Sequence, residues 1–269
     1  MPGGATYIKN GQIQWRQFGN GPLPVVAFHG YGESGEAYSL LMAQGFDQFT
    51  CYAVDLPHHG GSSWDDEDFG VNELLALVAA IRAQHASADR FTLVGFSLGA
   101  RLALKVYEKL APDIDRLILL APDGMKVNFW YWLATQTMIG NRLFAFTMKE
   151  PGWFFTLLKG LHKIGAVNPS IFKFVHRAID DPDARRLLYL RWTSFRQIKP
   201  SLSSIRKRIV AEQTPVRLVY GRHDRIILPA RGRRFAKGME KFVHVEEIDA
   251  GHQVLHPRHV DIIRRLFID

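Results

Sequence analysis

Cysteine is nearly absent: Cys51 is the only one in 269 residues, so no internal disulfide can form. Its place before the apolar residues 52–54 marks it as a buried thiol rather than a reactive one. Also missing is any stretch near the ~18 uninterrupted apolar residues of a membrane span. Residues 1–11 lack the basic region followed by an apolar run that defines a secretory leader, and a soluble cytoplasmic protein is expected. No G-x-G-x-x-G follows a strand and no Walker sequence occurs, which removes the usual cradles for nucleotide phosphates. Nowhere do His, Cys and carboxylates fall at metal-ligand spacing, and the adjacent His58 and His59 point in different directions; neither a metal nor a cofactor is expected. Internal repeats and low-complexity tracts are likewise missing.

What is present is ample core material, 47% hydrophobic residues with 12% aromatics, and a formal net charge of +8. That charge is confined to one segment. Residues 123–214 hold 15 Lys+Arg against 6 Asp+Glu, while the remainder holds 19 against 20. The same segment carries Trp130, Trp132, Trp153 and Trp192, four of the six tryptophans. No recognition motif accompanies the basicity, so nucleic-acid binding is not expected. Three readings stay open: solvated outer faces, attraction of anionic substrates, or a weak contact with an anionic lipid surface.

Short β-rich runs at 25–28, 52–54, 91–94, 117–121, 216–220 and 243–248 alternate with helical patterns at 36–44, 72–86, 98–110, 229–237 and 258–267. Strand and helix in alternation predict an α/β fold, a mostly parallel central sheet with helices on both faces. Residues 6–9 and 13–17 around Asn10-Gly11 predict a hairpin on its edge. The alternation stops between 123 and 214, where several helical stretches and no strand are read. The expected organisation is therefore a core of 1–122 and 215–269 with an inserted all-helical cap at 123–214, covering a site at the sheet's C-terminal edge.

Gly95-Phe96-Ser97-Leu98-Gly99 stands where an apolar run meets a helical pattern whose Leu98, Leu102, Val106 and Leu110 repeat every four residues. A serine between glycines at such a corner has the form of a nucleophile elbow: the strained turn lifts the hydroxyl clear of the sheet, and small flanking residues let strand and helix approach. Four further features occur in order with it. They are His29-Gly30 after the third strand, Asp55-Leu56-Pro57-His58-His59-Gly60-Gly61-Ser62 after the fourth, Gly221-Arg222-His223-Asp224 after a late strand, and Gly251-His252 after the last. With these the chain resembles the α/β-hydrolase superfamily over nearly all its length outside the insert, His58 standing where glycine is common.

The resemblance implies a serine hydrolase. Ser97 would be the nucleophile, His252 its base, and Asp224 the acid that sets the imidazole tautomer, in the family's order of serine, acid, histidine. The backbone N–H groups of Tyr31 and Leu98 would form the oxyanion hole, with the dipole of the helix that Leu98 opens favouring negative charge. Asp123 is the alternative acid. His256 is read as a helix-entry cap beside Pro257. Phe96, Trp130, Trp153 and Arg191 are candidates for the substrate pocket. A serine in place of aspartate favours acyl transfer to water over epoxide opening, so the expected activity is hydrolysis of a carboxylic ester with an apolar acyl group. The alternatives are a thioesterase, or a carbon-carbon bond hydrolase, against which Gln253 argues because tryptophan commonly follows the histidine there. A ligand-binding protein without turnover would ordinarily have lost a member of the triad, and here none is lost.

Overall fold

β-branched, aromatic and leucine residues in unbroken runs make strands buried on both faces, as parallel sheets flanked by helices require. In the computed structural model, which describes residues 3–9, 11–42, 46–65, 68–85, 88–126, 129–163 and 180–268, these are β3 (Leu23–Phe28), β4 (Phe49–Val54), β6 (Phe91–Phe96), β7 (Ile114–Leu120), β8 (Val216–Gly221) and β9 (Val243–Ile248). The expected hairpin is present on the edge: β1 (Gly3–Ile8) pairs antiparallel with β2 (Gly11–Phe18), and the two-residue β5 (Ser63–Trp64) also pairs with β2. Strand order is β1-β2-β4-β3-β6-β7-β8-β9, and every pair from β4 onward along this path is parallel. The loops after the C-terminal ends of β3, β6, β8 and β9 are therefore brought to one edge, where open α/β sheets place their sites.

Helices α1 (Val71–Arg82) and α2 (Leu98–Leu110) cover the sheet. The reading of a helix over 36–44 is corrected to a 3₁₀ helix at Gly35–Met42. Its N–H groups reach only three residues back, as Ala37 does to the Ser34 carbonyl at 3.1 Å. Residues 43–45 of that reading lie outside the described residues. The helix read at 72–86 ends as a 3₁₀ turn at Ala83–His85, and the one at 258–267 opens with a 3₁₀ turn at Pro257–His259.

The chain divides into two compact units, 1–126 with 197–269, and 127–196. This moves the boundary read at 123–214. Besides α3 (Phe129–Gln136), α4 (Met138–Lys149), α5 (Gly152–Lys163) and α6 (Pro182–Ser194), the strandless stretch contains α7 (Leu202–Glu212), which packs with the sheet unit. Ile205 and Ile209 of α7 are fully buried, and the Ser201 N–H donates to Glu108 Oε2 of α2 at 2.8 Å. Helical periodicity alone cannot say which core a helix joins. The remaining elements, α8 (Pro229–Ala236) and α9 (Val260–Arg265), belong to the sheet unit as read.

The second unit is held by aromatic packing: Phe144 lies 5.5 Å from both Tyr189 and Trp192, and Tyr131 lies 5.6 Å from Trp192. Thr137 caps α4 through Gly140, and Asp181 caps α6 through Asp183 and Ala184, with Pro182 at the first helical position. Among the described residues no helix is long and apolar enough to cross a membrane.

Candidate active site

Ser97 occupies the turn between β6 and α2 with φ +49° and ψ −113°. This is a backbone conformation that a side chain tolerates only when its surroundings impose it, at about 1–3 kcal/mol. Three bonds impose it. The Ser97 N–H donates to Leu120 O at 2.9 Å, and Ser97 O accepts from Ala100 at 3.0 Å and from Asp123 at 3.1 Å. The flanking glycines are needed for contact: a Cβ on Gly95 would stand 2.5 Å from the Ala100 Cα, and one on Gly99 would stand 2.0 Å from the Phe28 carbonyl oxygen. The first turn of α2 thus lies directly on the end of β3.

Loops from two other strands complete the arrangement. Asp224 follows β8 and His252 follows β9. The loops are zipped together by His223 N–H to Ala250 O and Arg222 N–H to Ile248 O, both 2.9 Å. Gly221 permits this closeness, since a Cβ there would stand 1.9 Å from the Gly251 oxygen. Ser97 Oγ and His252 Nε2 are 2.9 Å apart, and His252 Nδ1 is 2.8 Å from Asp224 Oδ2. The Asp224 side chain is fully buried, and its Oδ1 accepts from the N–H groups of Ile226 at 2.7 Å and Ile227 at 2.9 Å. A carboxylate so held is an acceptor, so the imidazole proton belongs on Nδ1 and the Nε2 lone pair faces the serine hydroxyl.

On the opposite side lies His29-Gly30-Tyr31. His29 is fully buried; its Nε2 accepts from the Leu56 N–H at 3.0 Å, which leaves Nδ1–H to donate to Gly30 O at 2.7 Å. The Glu33 N–H also donates to Gly30 O, at 3.3 Å. A trans peptide points its N–H opposite to its carbonyl, so fixing the Gly30 oxygen fixes the direction of the Tyr31 N–H. The Leu98 N–H opens α2, where the first turn's donors have no intrahelical partner. Phe96 is buried, with its ring 5.7 Å from that of His252 and its edge against Gly30.

Asp123, the alternative acid, is engaged elsewhere: it pairs with Arg101 and accepts from the Gly124 N–H at 2.6 Å. His256 Nδ1 accepts from the Arg258 N–H at 3.2 Å, the capping contact expected of it. His58 adopts φ +62°, the left-handed conformation that makes glycine common at its position. Trp153 on α5 and Arg191 in the last turn of α6 belong to the second unit, as does Trp130 on α3, whose side chain is outside the described part. Sequence reasoning missed Glu33, whose Oε2 accepts from the Gly30 N–H at 3.3 Å while its Oε1 accepts from Gln253 Nε2 at 2.6 Å. A separation of 220 residues leaves no local signal for that pair.

The alpha/beta hydrolase family matches residues 25–265. The chain belongs to the alpha/beta hydrolase family. This hydrolase is 24% identical over 274 residues to an uncharacterized protein of Mycobacterium tuberculosis, across 95% of the chain and 77% of the relative. Over 109 residues, 40% of each protein, it is 28% identical to a pimeloyl-[acyl-carrier protein] methyl ester esterase of Pectobacterium carotovorum. Among solved structures, a thermophilic esterase from Thermogutta terrifontis shares the fold with a TM-score of 0.70 at 18% identity, over 100% of this chain and 98% of that one.

Proposed function

We propose that this hydrolase cleaves a carboxylic ester with an apolar acyl group through an acyl-enzyme on Ser97. The reading is carried by the hydrogen-bonded chain from Ser97 through His252 to Asp224, 2.9 and 2.8 Å, on a serine held at positive φ. His252 Nε2 takes the hydroxyl proton as Oγ attacks the ester carbonyl, and Asp224 stabilises the imidazolium that forms. The N–H groups of Leu98 and Tyr31 receive the oxyanion, each typically worth about 3 kcal/mol of transition-state stabilisation. The imidazolium returns its proton to the departing alcohol. Water, deprotonated by His252, then releases the acid from Ser97. Phe96 supplies apolar surface beside His252 for the acyl group.

The test is intact-mass analysis after treatment with a fluorophosphonate, on wild type, Ser97→Ala and His252→Ala, followed by turnover of p-nitrophenyl esters of increasing acyl length. Single labelling of the wild type alone is expected, with turnover rising with acyl length. A folded wild type that resists the probe, or Ser97→Ala labelled to the same extent, would overturn the reading.

A further inference from the structure

Helix α4 is apolar on both sides, and only one side is used within its unit. Phe144 faces Tyr189 and Trp192, and Thr147 is buried. At about 100° per residue, Met138, Ile139, Leu143 and Phe146 fall in a second arc, and they are 70%, 80%, 51% and 54% exposed. Side chains that open stand in solvent, and a contiguous apolar stripe of this kind marks an interaction surface. Arg142 and Lys149, both exposed, lie within the same arc, between Met138 and Phe146 around the helix.

The charge says what covers it. Residues 127–196 hold 10 Lys+Arg against 4 Asp+Glu. A second copy docking through the same patch would set cation against cation, because a two-fold interface pairs each patch with itself. A bilayer with anionic headgroups meets both requirements, an acyl interior for the apolar side chains and negative charge for Arg142 and Lys149, because long basic side chains bury their alkyl stems among apolar groups and lift the charged end to the headgroups. We propose that the outer face of α4 seats this protein peripherally on an anionic phospholipid bilayer. The inference is independent of the esterase reading, since it requires neither Ser97 nor turnover.

The experiment is co-sedimentation of the full chain with phosphatidylcholine vesicles and with vesicles of phosphatidylcholine and phosphatidylglycerol, at low and high salt. Wild type is expected to partition about tenfold more onto the anionic vesicles, and to lose that preference at high salt. Ile139→Glu with Phe146→Glu should abolish binding, and Arg142→Glu with Lys149→Glu should reduce it to the phosphatidylcholine level, while the circular dichroism spectrum and melting temperature of each variant report on the fold. Equal pelleting with both vesicles, or binding unchanged by either pair of substitutions, overturns the proposal. So does concentration-dependent self-association without vesicles that the same apolar pair removes, which would assign the face to a second copy.

Discussion

Asp224 does two things at once: Oδ1 is held by two backbone N–H groups while Oδ2 faces His252. Asp224→Asn therefore preserves the loop but turns an amide N–H toward Nδ1, forcing the imidazole proton onto Nε2, where it cannot accept from Ser97. The expected loss in kcat is about 10⁴-fold with thermal stability little changed; ester kinetics showing a loss under tenfold would refute the assignment. Cys51 makes a different prediction. Burial pushes its thiol up to about 12, whereas the unfolded thiol ionises near about 8.5. The folded state then holds the proton longer than the unfolded one, so this contribution to stability is intact below the unfolded value and is lost as pH rises toward 12. Urea unfolding should show an alkaline loss of stability that is smaller in Cys51→Ala, and thiol reagents should label Cys51 only on unfolding. At this scale Ser97, Asp224 and His252 were legible through the resemblance to the α/β-hydrolases, which gives each of these residue types a place after a strand. Glu33 was not, because its partners are decided by which loops meet.

The elbow between β6 and α2 is an element whose geometry depends on the absence of side chains. Gly99→Ala would place a methyl group against the Phe28 and His29 carbonyl oxygens, at 2.0 and 2.6 Å, and backbone cannot yield as a flexible side chain does. The expected cost is about 2 kcal/mol of stability, together with loss of activity as the Leu98 and Tyr31 N–H groups move apart. A melting temperature and kcat within error of wild type would show that the helix start does not need this contact. The G-x-S-x-G spacing made the elbow readable in one dimension. The 3₁₀ character of Gly35–Met42 was not readable, since its apolar pattern is compatible with either helix.

Across the whole molecule the two units differ in how they are built. Strands β3, β6 and β7 bury nearly every side chain, whereas the described buried residues of 127–196 are chiefly Thr135, Thr147, Leu158, Thr193, Ser194 and Phe195. Local opening free energy follows buried apolar contact, so hydrogen exchange should protect β6 and β7 longest and release amides of α4 and α5 well before global unfolding. Uniform protection across both units would contradict this. The sequence by itself determined the alternating strands and helices, the buried thiol and the elbow, because periodicity and spacing are local properties of the chain; the order of serine, acid and histidine came from its resemblance to the α/β-hydrolases. Only the tertiary structure decided that α7 joins the sheet unit, that Asp123 is taken by Arg101, that Gln253 reaches Glu33 and that α4 keeps an apolar face in solvent. Each of those depends on which surfaces are buried against which, and burial is a property of the packed chain.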